Sequence, residues 1–435
     1  METDFCDIGF ESRTRNYSGN IDYASMDLEL ETVDEPSLKR LKMTGRGKML
    51  RGHSIDIPHD GEMLPSSIAL KRHFMKRTRR RSVADPFDYE EQVPIPEVPE
   101  GGVRIKVCYA GACYSNSQAC GIRIRMAGIR DTSLFPGYEV SGLIDELDKE
   151  IDTGEWKKGD RVVVFPYEDV INKSDLSEYI TVTDLSSLVR IPESVPLDVA
   201  AMMPSGAVMA YNAVLKAKEH IKQEMSTRGV QERMHILLIG AGGLGLTTLV
   251  IANHFLSEFS PDIVRVVVAD SCDGPSDPTN AEKLAHAERM GCLVIHWCDH
   301  LYEQQILERT LDICPGGVDV AIDFVSSPRT TTRVLKILNN GGLVVSGDHS
   351  RSCIRVHPEQ LSEKDQRIVP VPKGNPEQLK DLLDLLDKKE ILPPPYEVFP
   401  VEDANNVFSC LQRSQHIGRA VFKVSKEDLE SVFEN

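Results

Sequence analysis

The chain has 435 residues, with 50 basic side chains against 67 acidic ones and a formal net charge of −17 at pH 7. That length accommodates two domains with full cores plus a tail, and the acidic balance argues against nucleic acid or an anionic membrane as the main partner of the folded part. Ten cysteines fall without a CxxC pair, and no secretory apolar segment or transit-like composition opens the chain. A cytoplasmic protein with mostly reduced, packed cysteines is expected.

Residues 1 to 67 mix acidic stretches with a basic one (Lys39, Arg40, Lys42, Arg46, Lys48, Arg51) and show no sustained apolar period. This is the composition of a disordered N-terminal extension. A second basic run, Lys71 to Arg81, closes on Ser82. It reads either as a nuclear address, a dock for an acidic partner or a phosphorylation site at Ser82, or simply as a solvated basic strand or linker at the domain entrance.

From Val93 the texture changes. Val103, Ile105 and Val107 alternate with Arg104, Lys106 and Cys108, the pattern of a half-buried strand. Val140 to Ile144, Arg161 to Phe165 and Tyr179 to Val182 suggest further short strands, with turns at Lys158-Gly-Asp160 and at Pro192. A compact all-β unit is expected here.

His235 to Leu246 then runs apolar, breaks into spaced glycines and resumes as an amphipathic helix. Ile236 to Ile239 suits a buried parallel strand, Gly240 a tight turn, Gly242 a close backbone approach to a pyrophosphate, and Gly245 close packing of helix on strand. Gly243 and Leu244 begin a helix whose N-terminus faces the phosphates. Gly240, Gly242, Gly243, Leu244 and Gly245 are therefore candidate cofactor-binding residues. No charge falls between Ile236 and Asn253, yet the glycines, Thr247, Thr248 and Asn253 interrupt what would otherwise suggest a membrane span.

A second strand, Ile263 to Val268, ends at Ala269-Asp270. A carboxylate there accepts the adenine-ribose hydroxyls and repels a 2′-phosphate, so NAD(H) is expected in preference to NADP(H). Asp270 lies beyond the usual spacing, which implies a lengthened connection around Ser257 to Pro261. A helix over Ala281 to Gly291, a strand over Cys292 to Trp297, strands at Val318 to Phe324 and Leu343 to Ser346, and a helix around Thr330 to Leu338 follow. This alternation calls for a doubly wound parallel sheet. Ligands bind at the carboxyl ends of its strands, which makes Phe324, Val325, Ser326 and Ser346 to Asp348 candidate neighbours of the nicotinamide half. Helices near Gln378 to Leu386 and Val401 to Leu411 flank an extended Pro393-Pro-Pro connector, and the charged segment from Lys426 closes the chain.

The order β unit, dinucleotide unit, short return resembles the medium-chain dehydrogenase/reductase superfamily. Ala110-Gly-Ala-Cys113, Pro136-Gly-Tyr-Glu-Val-Ser-Gly142, Lys158-Gly-Asp-Arg-Val162, the glycine loop, Gly317-Val-Asp-Val-Ala-Ile-Asp323, Gly341-Gly342 with Gly347, and Gly418-Arg-Ala420 carry the likeness. It implies an α/β fold. After an extension over 1–67 come a GroES-like catalytic domain over 68–206, completed by 349–435, and a Rossmann domain over 207–348. It also implies a homodimer, built by pairing edge strands near Val344.

The departures from the family pattern point to its zinc-free branch. The resemblance puts Cys113 at one zinc ligand, while Tyr138 stands for the histidine and Ser205 for the second cysteine. One sulfur and two neutral hydroxyls make a poor zinc site, and Glu139 adds only one further donor. The four-cysteine structural lobe is missing as well. No metal is expected. The implied activity is hydride transfer to or from an alcohol, carbonyl or activated double bond of a small molecule. Tyr138 would either donate the proton, with Ser115 in the relay, or fill the space of the lost metal as a packing aromatic, while Cys113 would be an inert buried thiol and Glu139 would line the site. A catalytically silent dinucleotide-binding protein, and a zinc enzyme with an unusual ligand set, are the other readings. Arg123, Arg125 and Arg130 lie in the stretch that would cover the pocket.

Overall fold

The computed structural model describes residues 74–79, 88–112, 139–151, 154–166, 176–228, 233–270, 278–298, 301–347, 356, 358–372 and 374–425, with the backbone alone for 74–79 and 88–93. By contact the chain divides into residues 1–69, all outside the described set, and residues 70–435. The expected extension and the run Ile122 to Arg130 thus lie outside the described residues.

Two short strands come first, β1 (Phe74–Arg79) and β2 (Asp88–Pro94). β3 (Val103–Ala112), β4 (Val140–Leu147), β5 (Arg161–Val164), β6 (Leu176–Ser177), β7 (Tyr179–Val182) and β8 (Leu188–Arg190) follow. Helix α1 (Leu197–Ala201), a π-helical turn over Met203–Ala207 and the long helix α2 (Val208–Arg228) lead out of this lobe. The coenzyme lobe is β9 (Met234–Ile239), α3 (Gly243–Phe255), β10 (Val264–Asp270), α4 (Pro278–Arg289), β11 (Leu293–His296), α5 (Glu303–Ile313), β12 (Val318–Asp323), α6 (Pro328–Ile337) and β13 (Leu338–Ser346), then α7 (Pro358–Glu363) and β14 (Arg367–Pro370). The return is α8 (Pro376–Asp387), β15 (Tyr396–Pro400), α9 (Ala404–Gln412) and β16 (Arg419–Lys423).

The coenzyme sheet is six-stranded and parallel, in the order β11-β10-β9-β12-β13-β14. Its first strand, β9, lies in the middle because Met-His-Ile-Leu-Leu-Ile is buried at every position, as a strand covered on both faces must be. Strand order reverses between β9 and β12, so a crevice opens beyond their carboxyl ends. The other large sheet runs β15-β16-β3-β4-β5-β8, with β7 also on β3. There the last described strand, β16, inserts beside β3, so the chain's end completes a sheet begun over 300 residues earlier.

One buried cluster joins the lobes. It runs from Leu143, Val163 and Phe165 through Ala210, Val214, Ala217 and Ile221 of α2 to Ile236 and Leu238 of β9. The α2 residues recur at helical spacing and are mostly small, which lets the helix lie close on the sheet. Truncating Ile221, fully buried at the end of this stripe, would cost about 2–5 kcal/mol. On the opposite face Arg333 of α6 is buried over the ring of Trp297 and grips Glu303 of α5 with two nitrogens. That guanidinium holds the Glu303 carboxyl down at about 2.

Several expectations need correcting. Val344 is not at an edge: β13 is paired on both sides, and the outer strand is β14, a four-residue segment ending in Pro370 that carries too little pattern to read. The proline connector leads into a strand, β15, parallel to β16. The basic run forms β1, antiparallel to β2, with Arg77 opposite Glu90 and Arg79 opposite Asp88. That is the strand reading of the run, and Ser82 lies outside the described residues. Cys298 is disulfide-bonded, against the expectation of reduced thiols, whereas Cys108, Cys292, Cys314 and Cys410 form no disulfide. Burial pushes the Cys292 and Cys314 thiols up to about 11 and about 12, which marks them as packing residues. No helix among the described residues is long and apolar enough to cross a membrane.

Candidate active site and dinucleotide crevice

The glycine loop closes the gap between β9 and α3. Gly240 takes φ +100°, and a Cβ on Gly245 would lie 1.9 Å from the Gly240 carbonyl oxygen, so the turn and the helix start need both glycines. Gly242 differs. A Cβ there meets no described atom within 4 Å. Gly242 also caps α3 without offering a side chain, and Gly243 and Leu244 supply the first-turn amides. First-turn amides that have no acceptor within the helix, and the positive end of the helix dipole, thus face the opening, the arrangement that holds an anion.

Asp270 ends β10 beside this loop, and its Oδ2 accepts a hydrogen bond from the Ala241 N–H at 3.1 Å. The carboxylate is therefore oriented by the glycine loop itself. Across the crevice, Val325 is exposed and approaches within 3.3 Å of the Cβ position on Gly240. Phe324 is half-buried and packs against Gly347. Ser326 takes φ +46°, and its amide and that of Val325 donate to Asp323 Oδ1. Ser346 is buried, with its hydroxyl 2.9 Å from that of Ser326. Of the candidates on this wall, Val325 faces the opening, whereas Ser346 serves the turn beneath it. Asp348 lies outside the described residues.

The catalytic candidates are described unequally. Cys113, Ser115 and Tyr138 lie outside the described residues. Glu139, immediately before β4, is fully buried. Its Oε2 pairs with the Arg419 guanidinium, and its Oε1 accepts the Gly206 amide at 3.0 Å. Gly206 belongs to the π-helical turn, directly after Ser205.

In the sequence Arg419 stands out only within the motif Gly418-Arg-Ala420, yet it is the hub. From the first position of β16 its side chain passes Gly243, where a Cβ would come within 3.0 Å of Arg419 Cδ, and reaches Gly206 and Glu139. Each glycine leaves room for the guanidinium stem. This one side chain therefore ties the helix that opens the dinucleotide crevice to the turn that carries Ser205 and to Glu139, immediately before β4. The signal that could have found it is the match between a buried acid and a cation in the return; 280 residues separate them.

Comparison with known proteins agrees with this architecture. Residues 99–215 match the family model described as alcohol dehydrogenase GroES-like domain, and residues 298–422 match that of zinc-binding dehydrogenase. An NAD-dependent alcohol dehydrogenase of Sulfolobus acidocaldarius is 25% identical over 379 residues, covering 81% of this chain and 100% of the relative. Among solved structures, the alcohol dehydrogenase of Aeropyrum pernix superposes with a TM-score of 0.62 at 19% identity, over 80% of this chain and 99% of the other. Acetophenone reductase of Geotrichum candidum in complex with NAD gives 0.58 at 17%, over 80% and 97%. The chain belongs to the medium-chain dehydrogenase/reductase superfamily and has the build of its alcohol dehydrogenase-like, NAD(P)-dependent oxidoreductases.

Proposed function

We propose that this protein is a zinc-independent oxidoreductase that takes NAD(H) in preference to NADP(H) and moves hydride to or from an alcohol, a carbonyl or an activated double bond of a small molecule. The observation that carries the reading is the opening over Gly242, where a Cβ would meet no described atom within 4 Å. The bound nicotinamide supplies the hydride chemistry. The α3 amides hold the pyrophosphate. Asp270, fixed on the Ala241 amide, accepts the ribose hydroxyls and repels a 2′-phosphate.

The donor chemistry supports zinc independence. Ser205 offers a neutral hydroxyl, and both Glu139 oxygens are engaged by Arg419 and Gly206. Cys113 and Tyr138 then leave the set short of the thiolates and imidazoles that zinc requires. Tyr138 takes the role of proton donor to the reacting oxygen, with Ser115 in the relay, as the family resemblance implies. A homodimer would form by pairing β14 of two copies, the outer strand of the coenzyme sheet.

The test is a fluorescence titration of purified protein with NADH and NADPH, together with metal analysis and turnover of carbonyls, quinones and enals by wild type and Tyr138→Phe. Tight NADH binding with weaker NADPH binding, turnover that drops in the variant, and no stoichiometric zinc are expected. Failure to bind either dinucleotide, or one zinc per chain, overturns the corresponding part. Binding without turnover of any substrate would leave a silent dinucleotide binder.

A further inference from the structure

The segment from Ser414 to Arg419 is held to the coenzyme lobe at more than the site itself. At one end, Arg419 reaches Glu139 and the Gly418 carbonyl lies 2.5 Å from the Cβ position on Gly243. At the other end, the Ser414 carbonyl accepts a hydrogen bond from Lys283 Nζ in α4. The same ammonium donates to Asn280 Oδ1 at 3.2 Å, one turn earlier on the helix.

Lys283 is unusual for its type, being only 3% exposed. A lysine on a helix ordinarily carries its ammonium out to water, and burying it is unfavourable unless hydrogen bonds replace that hydration. Here protein oxygens from both lobes do so. Ser414 presents its carbonyl from a fixed turn: its φ is +57°, rare for a non-glycine residue, and its own amide bonds the Leu411 carbonyl at 3.0 Å. Helix α4 is the helix that follows Asp270. Lys283 thus links the helix behind the ribose-binding position to the segment that delivers Arg419.

We propose that Lys283 is a positioning residue: it clasps the 414–419 return against the coenzyme lobe, so that dinucleotide affinity depends on this hydrogen bond between lobes. The inference rests on the dinucleotide reading above. A ligand lying along α3 would meet a wall, Gly418 and Arg419, whose place is set at its far end by α4.

The experiment compares wild type with Lys283→Met, which keeps the stem and loses the donors, and Lys283→Arg, which restores them. Three quantities are read: NADH affinity by fluorescence, hydrogen exchange over residues 413–419 with and without NADH, and the ligand-free melting temperature. NADH should protect 413–419 in wild type. In Lys283→Met that protection should vanish and affinity fall about tenfold, a usual size for coupling between sites; Lys283→Arg should recover both. A lowered melting temperature with unchanged affinity would show mere packing and overturn the proposal. So would weaker binding with unchanged protection, which would mean that Lys283 touches the ligand instead. If Lys283→Met fails to fold, Asn280→Leu, which removes one acceptor and spares the lysine, should move affinity and exchange the same way by less; no movement of either overturns it. A wild type that binds no dinucleotide fails at the first titration and removes the function reading itself.

Discussion

Arg419 and Glu139 form a buried ion pair that bridges the last described strand and the residue immediately before β4, with side-chain exposures of 4% and 0%. A charge left alone at that depth has no solvent to turn to. Glu139→Gln or Arg419→Met should each cost about 3–5 kcal/mol of stability, because each strands its partner. The double variant should lose less than the sum, since neither charge is then orphaned. Denaturant unfolding of the three variants checks this; strict additivity would show the two residues to be energetically independent.

The glycine loop contains two positions that should fail differently. Gly245→Ala drives a methyl into the Gly240 carbonyl and should destabilise the fold by about 1–3 kcal/mol, as overpacking does. Gly242→Ala meets no described atom, so its melting temperature should stay near wild type while NADH binding weakens. Thermal melts paired with NADH titrations separate the cases, and a Gly242→Ala protein that binds normally would leave the crevice without its pyrophosphate.

Asp270 should set the choice of dinucleotide. Asp270→Ser removes the charge that opposes a 2′-phosphate, so NADPH affinity should rise and NADH affinity fall, by about tenfold for each 1.4 kcal/mol of changed interaction. Parallel titrations decide it. An unaltered preference would move the discrimination to another residue.

His235 should make stability depend on pH. Its ring is buried, with Nδ1 3.1 Å from the Gly317 carbonyl and no partner on Nε2 among the described residues. Burial holds its pKa below 6.5, even though Asp319 pulls upward. The unfolded chain therefore binds the proton first. Stability should be complete above about pH 6.5 and decline as the pH falls below it. His235→Gln should flatten that slope in pH-dependent unfolding; an equal slope would assign it to other histidines.

The sequence made the crevice legible and left its far wall obscure. The apolar run into Gly240, Gly242 and Gly245, and the acid at Asp270, are local patterns whose physics is complete within a few dozen residues. The role of Arg419 is not local: it depends on β16 landing beside β3, a strand more than 300 residues earlier, and the chain between them carries no trace of that pairing. Strand β14 escaped because four residues ending in proline show too little alternation. Strand β1 is one of the readings the basic run allows, but its partner β2 escaped because charge dominates it, and charge reads as solvent until the register sets Arg77 against Glu90.

The insertion of β16 beside β3 also governs how the protein comes into being. During synthesis the strands of the first lobe emerge early, but the edge of β3 from Tyr109 to Ala112 has no partner until Ala420–Lys423 leave the ribosome. The coenzyme lobe, complete by β14, can fold while that edge still waits, exposed to any other strand in reach. A chain stopped short of Arg419 would keep the waiting edge and bury the Glu139 carboxylate without its cation. Messages or cleavage products that lose only the last few dozen residues should therefore yield aggregates and not a smaller working protein.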